Sequence, residues 1–105
     1  MRKYKVSFRP QADADLGALY ETILEDSGAD VAGAYIDRIE AACMALATFP
    51  NRGRLRDDLR AGLRTIGFER RALIAHQVKR TEVVVVRILY GGQHFQRILG
   101  GSLGA

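Results

Sequence analysis

Four consecutive valines occupy positions 83–86 and restrict the folds that this chain can adopt. Valine is branched at Cβ, which favours the extended backbone of a strand over a helix. Because successive side chains of a strand point to opposite faces, a strand that contains this run is apolar on both faces. Such a surface is buried only in the middle of a covered sheet, so residues 82–90 are predicted to form a central strand.

Three further segments have the pattern of strands. Residues 4–8 alternate apolar and polar side chains, which is the period of a half-buried strand. Residues 64–68 and 71–78 are short segments joined to each other and to 82–90 by polar links of a few residues. Links this short connect antiparallel neighbours, so the sequence predicts a mostly antiparallel sheet of about four strands.

A first helix is predicted after Pro10, a residue that suits the first helical turn because its missing N–H would have no partner there. Apolar residues then recur at helical spacing, and Gly28 stands where a left-handed cap would end the helix. These apolar residues are Leu16, Leu19, Tyr20 and Ile23.

A second helix is predicted to begin with Asp30 as its N-cap and to end at Pro50, which cannot continue a helix. Its apolar stripe is expected to face the sheet. The stripe consists of Tyr35, Ile39, Ala42, Leu46 and Phe49. The tight link between the two helices makes them an antiparallel hairpin, and neither helix can bury its stripe without a partner surface.

The order strand, helix, helix, strand, strand, strand predicts an α+β fold in which the helical hairpin packs on the sheet. At 105 residues the chain has room for one core, so residues 1–99 are predicted to form a single domain and residues 100–105 a flexible tail. Cys43 is the single cysteine. No disulfide, metal or cofactor is therefore expected, and a reducing, cytoplasmic setting without a membrane span fits best.

Charge is divided unevenly along the chain. Residues 10–50 contain one basic residue, Arg38, and eight acidic ones, whereas residues 51–105 contain eleven Lys and Arg and four Asp and Glu. Seven arginines fall within residues 52–71 alone. Arginine suits bidentate contacts with carboxylate or phosphate, so this segment is predicted to bind an acidic partner rather than to be only a solvated loop.

The order of elements and two sequence segments resemble the ParE branch of the RelE/ParE superfamily, the toxins of bacterial type II toxin–antitoxin pairs. The resemblance extends over residues 6–99. The first segment has Phe49 and Pro50, then Gly53 and Arg54, Leu59, and Gly62, Leu63 and Arg64; the second is Arg87, Ile88, Leu89, Tyr90 and Gly91. The resemblance implies a non-enzymatic inhibitor that acts by contact with DNA gyrase and is silenced by a tightly bound, ParD-like antitoxin.

Members on the RelE side of the superfamily are instead ribosome-dependent mRNA endonucleases, and this is the alternative. Such cleavage needs an acid, a base and cations that stabilise the phosphorane. The candidate residues are Arg64, Arg87, Tyr90 and His94. A third interpretation is a member whose toxicity has been lost. The scarcity of lysine and the lack of a compact acid–base set favour the gyrase inhibitor.

Several candidate residues also have structural interpretations. Arg87 is expected on one strand face with Val83, Val85 and Leu89, where pairing with a helix carboxylate is favoured slightly over phosphate binding. His76 lies two residues from Ile74 and from Val78, so a hydrogen-bonded core histidine is favoured over a ligand.

The binding residues follow from the resemblance and from the charge pattern. The antitoxin is expected to bind Tyr20, Ile23, Arg52, Arg54, Arg56, Arg60, Arg64 and Arg71, and the target to bind Tyr90, His94 and Arg97. Acids interleave with the arginines and no helix is suited to reading a groove. Sequence-specific binding of nucleic acid by this chain alone is therefore not expected.

Overall fold

The computed structural model describes residues 3–91, 95 and 97–102. These residues form an α+β fold, as predicted, in which two helices cover one face of a mostly antiparallel sheet. The elements are β1 (Lys5–Phe8), α1 (Pro10–Ser27), α2 (Ala29–Met44), a 3-10 turn (Ala45–Ala47), β2 (Arg54–Leu55), β3 (Leu63–Phe68), β4 (Ala72–Val78), β5 (Glu82–Tyr90) and a terminal helical turn (Arg97–Ser102).

The sheet has the strand order β1-β5-β4-β3-β2, and β1 is parallel to β5 while every other pair is antiparallel. The central position predicted for residues 82–90 is thus confirmed. Val85 belongs to the core beneath the helices and Val86 to a cluster on the opposite face. The consecutive valines therefore bury both faces of β5, as expected for a strand in the interior of a covered sheet.

The short strand β2 is an addition to the predicted set. It is two residues long, too short to produce an alternating pattern, and Arg54 pairs with Thr65 and Leu55 with Arg64. Gly53 makes this pairing possible. Its φ is +90°, and a Cβ at this position would lie 2.6 Å from Cγ1 of Ile66 and from the carbonyl oxygen of Thr65.

The helical hairpin forms as predicted, with one difference at its link. Gly28 ends α1 with a φ of +90°, and its N–H donates to the carbonyl oxygen of Leu24. The prediction that Asp30 caps α2 is wrong, because Gly28 occupies the N-cap position and no side chain caps the helix there. Asp30 lies in the first turn, where its carboxylate complements the positive end of the helix dipole.

The apolar stripe of α2 differs from the prediction at its C-terminal end. The helix ends at Met44, six residues before Pro50, and continues as the 3-10 turn Ala45–Ala47. A 3-10 turn advances fewer residues per revolution, so side chains beyond it leave the stripe. Phe49 is accordingly 57% exposed rather than buried, and Ala42 is only half-buried. The buried residues are Ala32, Tyr35, Ile39, Cys43 and Leu46.

The face of the sheet opposite the helices is covered by the end of the described chain. Leu99 is fully buried there against Leu63, Ala75, Val86 and Leu89. The helical turn Arg97–Ser102 continues past residue 99, where the predicted domain ends. Residues 103–105 of the predicted tail lie outside the described residues, so the tail remains a prediction.

Candidate functional site

Residues 52–64 form an ordered basic loop around β2. Arg56 donates two hydrogen bonds to Asp58, at 2.9 and 2.8 Å, and this pairing lowers the pKa of the Asp58 carboxyl. The N–H of Gly62 donates to Asp57, and Arg64 donates to the carbonyl oxygen of Asn51 at 3.0 Å. The two aspartates therefore organise the loop, while Arg56 and Arg64 are held in place by it.

Three arginines of this loop, Arg52, Arg54 and Arg60, have no ion pair among the described residues. The guanidinium of Arg52 lies 5.2 Å from the centroid of the Phe49 ring. An open depression of about 420 Å³ borders Phe49 and Arg52. We refer to these residues, Phe49, Arg52, Arg54 and Arg60, as the basic loop surface. The apolar spacing along α2 predicted that Phe49 lies in the core, but the residue before a proline is disfavoured in a helix, and this signal indicates that the helix has already ended.

The predicted antitoxin-binding residues do not form one cluster. In the strand register, Arg64 lies opposite His76, near the end of β4, whereas Arg71 immediately precedes the first residue of β4. At about 3.4 Å per residue, five or six residues of strand separate them by roughly 17–20 Å. Arg71 instead lies with Ile23 and Tyr90 around a pocket at the end of the helical hairpin. Ile23 is 6% exposed, and Tyr20 is half-buried against the core.

Arg87 is neutralised by a carboxylate of α1. Its Nε and Nη2 donate to Asp15 at 2.8 and 3.0 Å, and the N–H of Ile88 donates to the same carboxylate at 2.8 Å. The side chains are 14% and 9% exposed. The helix-carboxylate interpretation of Arg87 is thus confirmed. The face predicted for it is wrong in one respect: a bulge in β5 at the pairing of Ala75 and His76 places Leu89 in the opposite cluster.

The nuclease candidates do not assemble within the described part of the chain. Arg87 is bound by Asp15. Arg64 of β3 pairs in register with His76 of β4, which in turn pairs with Val85 of β5, and Val85 is five residues from Tyr90. That separation is about 17 Å along the strand. His94 lies outside the described residues.

Two of the three residues predicted to contact the target, Tyr90 and Arg97, lie on different faces of the sheet. The ring of Tyr90 packs beneath the helices, 6.2 Å from the ring of Tyr35. Arg97 is exposed on the helical turn whose Leu99 packs against the other face. The third residue, His94, is not described.

His76 is a core histidine, as predicted. It is fully buried, and its Nε2 lies 3.0 Å from the carbonyl oxygen of Pro50, which can only accept, so Nε2 carries the proton. Burial lowers the pKa of His76, the bond to Pro50 opposes that shift, and the charge of Arg64 adds to it. Burial likewise raises the pKa of the Cys43 thiol to about 12, which makes this cysteine a packing residue rather than a nucleophile.

Neither a metal site nor a membrane-spanning helix is found in the described ranges. Across residues 3–91, 95 and 97–102, no three His, Cys, Asp or Glu side chains gather where they could hold a metal ion. No helix in that part of the chain is both long and apolar enough to cross a bilayer.

The fold consists of an N-terminal strand, a helical hairpin that packs on a mostly antiparallel sheet, and an arginine-rich loop at one edge of that sheet. This is the toxin fold of the RelE/ParE superfamily. The sequence model described as ParE toxin of type II toxin-antitoxin system, parDE, matches residues 6–95. Toxin ParE3 of Caulobacter vibrioides is 36% identical over 86 residues, which are 82% of this chain and 85% of that toxin. This chain belongs to the ParE toxin family.

Solved structures agree with this assignment. The fold matches a chromosomal ParDE toxin–antitoxin system from P. aeruginosa with a TM-score of 0.75 and 26% identity, over 85% of this chain and 97% of that chain. It also matches the toxin–antitoxin complex RelBE2 from Mycobacterium tuberculosis with a TM-score of 0.60 and 25% identity, over 89% of this chain and 97% of that one.

Proposed function

We propose that this protein inhibits DNA gyrase by direct protein–protein contact in the cytoplasm and thereby arrests growth. Membership of the ParE family supports this assignment at the level of a type II toxin. The observation that carries the choice of mechanism is the Arg87–Asp15 pair, with both side chains largely buried. A buried, neutralised guanidinium offers no charge to a phosphorane, so the central cation of the nuclease alternative is occupied.

The target contact is assigned to Tyr90, His94 and Arg97. Arg97 is exposed, and Tyr90 is half-buried at the end of β5, so both offer surface to a large partner. Inhibition by contact requires such a surface and no proton transfer.

A ParD-like antitoxin is assigned as the partner that silences the toxin. An acidic, disordered segment can fold as it binds, and it would find cations on the basic loop surface and at Arg71. The basic loop surface lies at one edge of the sheet and Arg71 at the end of the helical hairpin. A segment that reaches both must cross the toxin, which covers much of the surface that the target needs.

Induction in cells tests this function. Expression without the antitoxin is expected to arrest growth and to trigger the DNA-damage response and filamentation while bulk mRNA stays intact. Co-expression of the product of the neighbouring reading frame should restore growth. Cleavage of ribosome-associated transcripts within minutes, with normal supercoiling, would instead establish the mRNA endonuclease.

A further inference from the structure

A pocket of about 220 Å³ opens where α1 meets α2, beside the end of β5. Ile23 and Val31 form its apolar wall, and Tyr35, Arg71 and Tyr90 form its polar side. Pockets for small molecules and cofactors are usually about 300–1,000 Å³. The volume here suits one side chain of a protein partner better than a nucleotide or a cofactor.

The hydroxyl of Tyr35 has no role in the packing of the described residues. Tyr35 is 6% exposed, and its buried hydroxyl has no hydrogen-bond partner among the described residues. Its ring makes edge-on contacts with Phe68 and Tyr90 at 5.5 and 6.2 Å, which phenylalanine would make equally well. Burial raises the pKa of Tyr35, so the hydroxyl is a neutral donor at neutral pH. A donor buried at a cost to stability needs an acceptor.

The turn before β4 holds Arg71 at the rim of this pocket. Glu69 and Arg70 have φ values of 48° and 61°, a region that residues with a Cβ rarely adopt. The N–H of Arg71 donates to the carbonyl oxygen of Phe68 at 3.2 Å, which closes the turn. Glu69 also accepts two hydrogen bonds from Arg38 of α2, at 2.7 and 2.9 Å. The positive φ values are those of a primed hairpin turn between β3 and β4, so the turn itself accounts for them and fixes where Arg71 lies.

The guanidinium of Arg71 is available to a ligand. It is exposed, has no carboxylate partner among the described residues, and donates to the hydroxyl of Tyr90 over a long 3.4 Å. Asp26 also lines the pocket, where its carboxylate accepts a hydrogen bond from Ser27 at 3.1 Å and acts electrostatically on Arg71 without forming a salt bridge. Arg71 and the unpartnered hydroxyl of Tyr35 are both hydrogen-bond donors, so the pocket favours an acceptor such as a carboxylate.

We propose that this pocket receives one Asp or Glu side chain of the antitoxin, whose carboxylate accepts hydrogen bonds from Arg71 and from the hydroxyls of Tyr35 and Tyr90. The inference rests on the antitoxin partnership proposed above and assigns one residue of the antitoxin to a specific binding pocket. This binding requires Arg71 and Tyr90 to turn from each other to the carboxylate, and the buried hydroxyl of Tyr35 to become accessible to it. Two hydroxyls and a planar guanidinium supply charge-assisted bonds stronger than those between neutral groups.

The test measures dissociation of the full-length toxin from the full-length antitoxin encoded by the neighbouring reading frame. Tyr35→Phe and Arg71→Gln should each accelerate dissociation about 10-fold or more, because each removes a hydrogen bond to a charged group. Tyr35→Phe should melt at or above the wild-type temperature, which separates binding from folding. The matched controls are Tyr4→Phe and Arg80→Gln, at the opposite end of the sheet, and these should dissociate like the wild type.

A double-mutant cycle identifies the occupant. Each Asp of the antitoxin is changed to Asn and each Glu to Gln, and every variant is measured against wild-type and Tyr35→Phe toxin. One substitution should weaken the wild-type complex about 10-fold but the Tyr35→Phe complex only about 2-fold. If no acid couples to Tyr35, or if both toxin variants dissociate like the wild type, this inference is wrong while the antitoxin partnership stands. If wild-type toxin forms no complex, the partnership itself fails.

Discussion

Arg87 and Asp15 show how a single pair decides between two roles of a residue. Both residues are chemically suited to a catalytic site, yet three hydrogen bonds converge on the Asp15 carboxylate and join α1 to β5. The sequence alone left both interpretations of Arg87 open. The register of α1 on the sheet decides between them, because it places Asp15 opposite the bulge in β5.

Removing Asp15 is expected to destabilise the fold. Asp15→Ala leaves a largely buried guanidinium and the N–H of Ile88 without a partner, so the free energy of unfolding should fall by about 3–5 kcal/mol. Urea denaturation measures this, with Glu21→Ala on the exposed side of the same helix as the control, expected within about 0.5 kcal/mol. The double variant Asp15→Leu, Arg87→Met should recover the part of the loss that comes from the unpaired guanidinium, while the N–H of Ile88 stays without its acceptor. Equal stability of Asp15→Ala and Glu21→Ala would contradict the structural role.

His76 is expected to make stability depend on pH. Its pKa in the folded protein lies below the ordinary value of 6.5, so the unfolded chain binds the proton first as the pH falls. The stabilising contribution of the neutral ring is complete above pH 6.5 and is lost progressively as the pH falls below it. Thermal melts at pH 7.5 and pH 5.5 should therefore differ more for the wild type than for His76→Gln. His94→Ala is the control for the other histidine, and a pH dependence unchanged in His76→Gln would refute this account.

Among the elements, the strands followed from the sequence more closely than the second half of α2. The valine run and the short polar links fixed β3, β4 and β5 to within about a residue, because these signals are local. The 3-10 turn and the two-residue β2 left no periodic signal. Exposure of Phe49 depends on that turn, and the pocket around Tyr35 depends on the packing of three elements. Patterns along a chain do not encode such long-range arrangements.

Leu46 and Phe49 belong to one predicted apolar stripe, but their substitution by alanine is expected to change stability by different amounts. Leu46 is fully buried, so Leu46→Ala should lower the free energy of unfolding by about 2–5 kcal/mol through lost burial and a cavity. Phe49 is exposed and contacts the Arg52 guanidinium, so Phe49→Ala should cost no more than about 1 kcal/mol. Chemical denaturation of the two variants decides the matter. If the two substitutions lower the free energy of unfolding by comparable amounts, Phe49 contributes to the core and its exposed position is contradicted.

At the scale of the whole molecule, folding keeps the charges of the sequence apart. Most acids lie on exposed positions of α1 and α2, and the unpaired arginines of the basic loop surface lie beside β2 at one edge of the sheet. Arg71 lies at the end of the hairpin instead. In the proposed complex, the antitoxin segment uses the basic loop surface for electrostatic steering and the pocket at Arg71 for binding a single side chain.

Charge on the basic loop surface should govern how fast the antitoxin associates. Neutralising Arg52, Arg54 and Arg60 to Gln should slow association and flatten its salt dependence, with dissociation changed less. The control replaces Lys3, Lys79 and Arg80 by Gln, which removes the same net charge elsewhere. Stopped-flow association at low and high salt compares the two triples. If both slow equally, steering reflects net charge alone and the antitoxin does not approach through this surface.

The central claim is that this fold acts on gyrase by contact. Purified toxin is added to gyrase, ATP and relaxed plasmid, with and without the antitoxin, and supercoiling and cleaved DNA are measured. We expect loss of supercoiling and persistent cleaved DNA, both reversed by the antitoxin, with Arg97→Glu weaker than wild type and Arg80→Glu unchanged. Full supercoiling activity at toxin concentrations well above those of the enzyme would contradict the claim, and cleavage of mRNA on ribosomes by the same preparation would replace it.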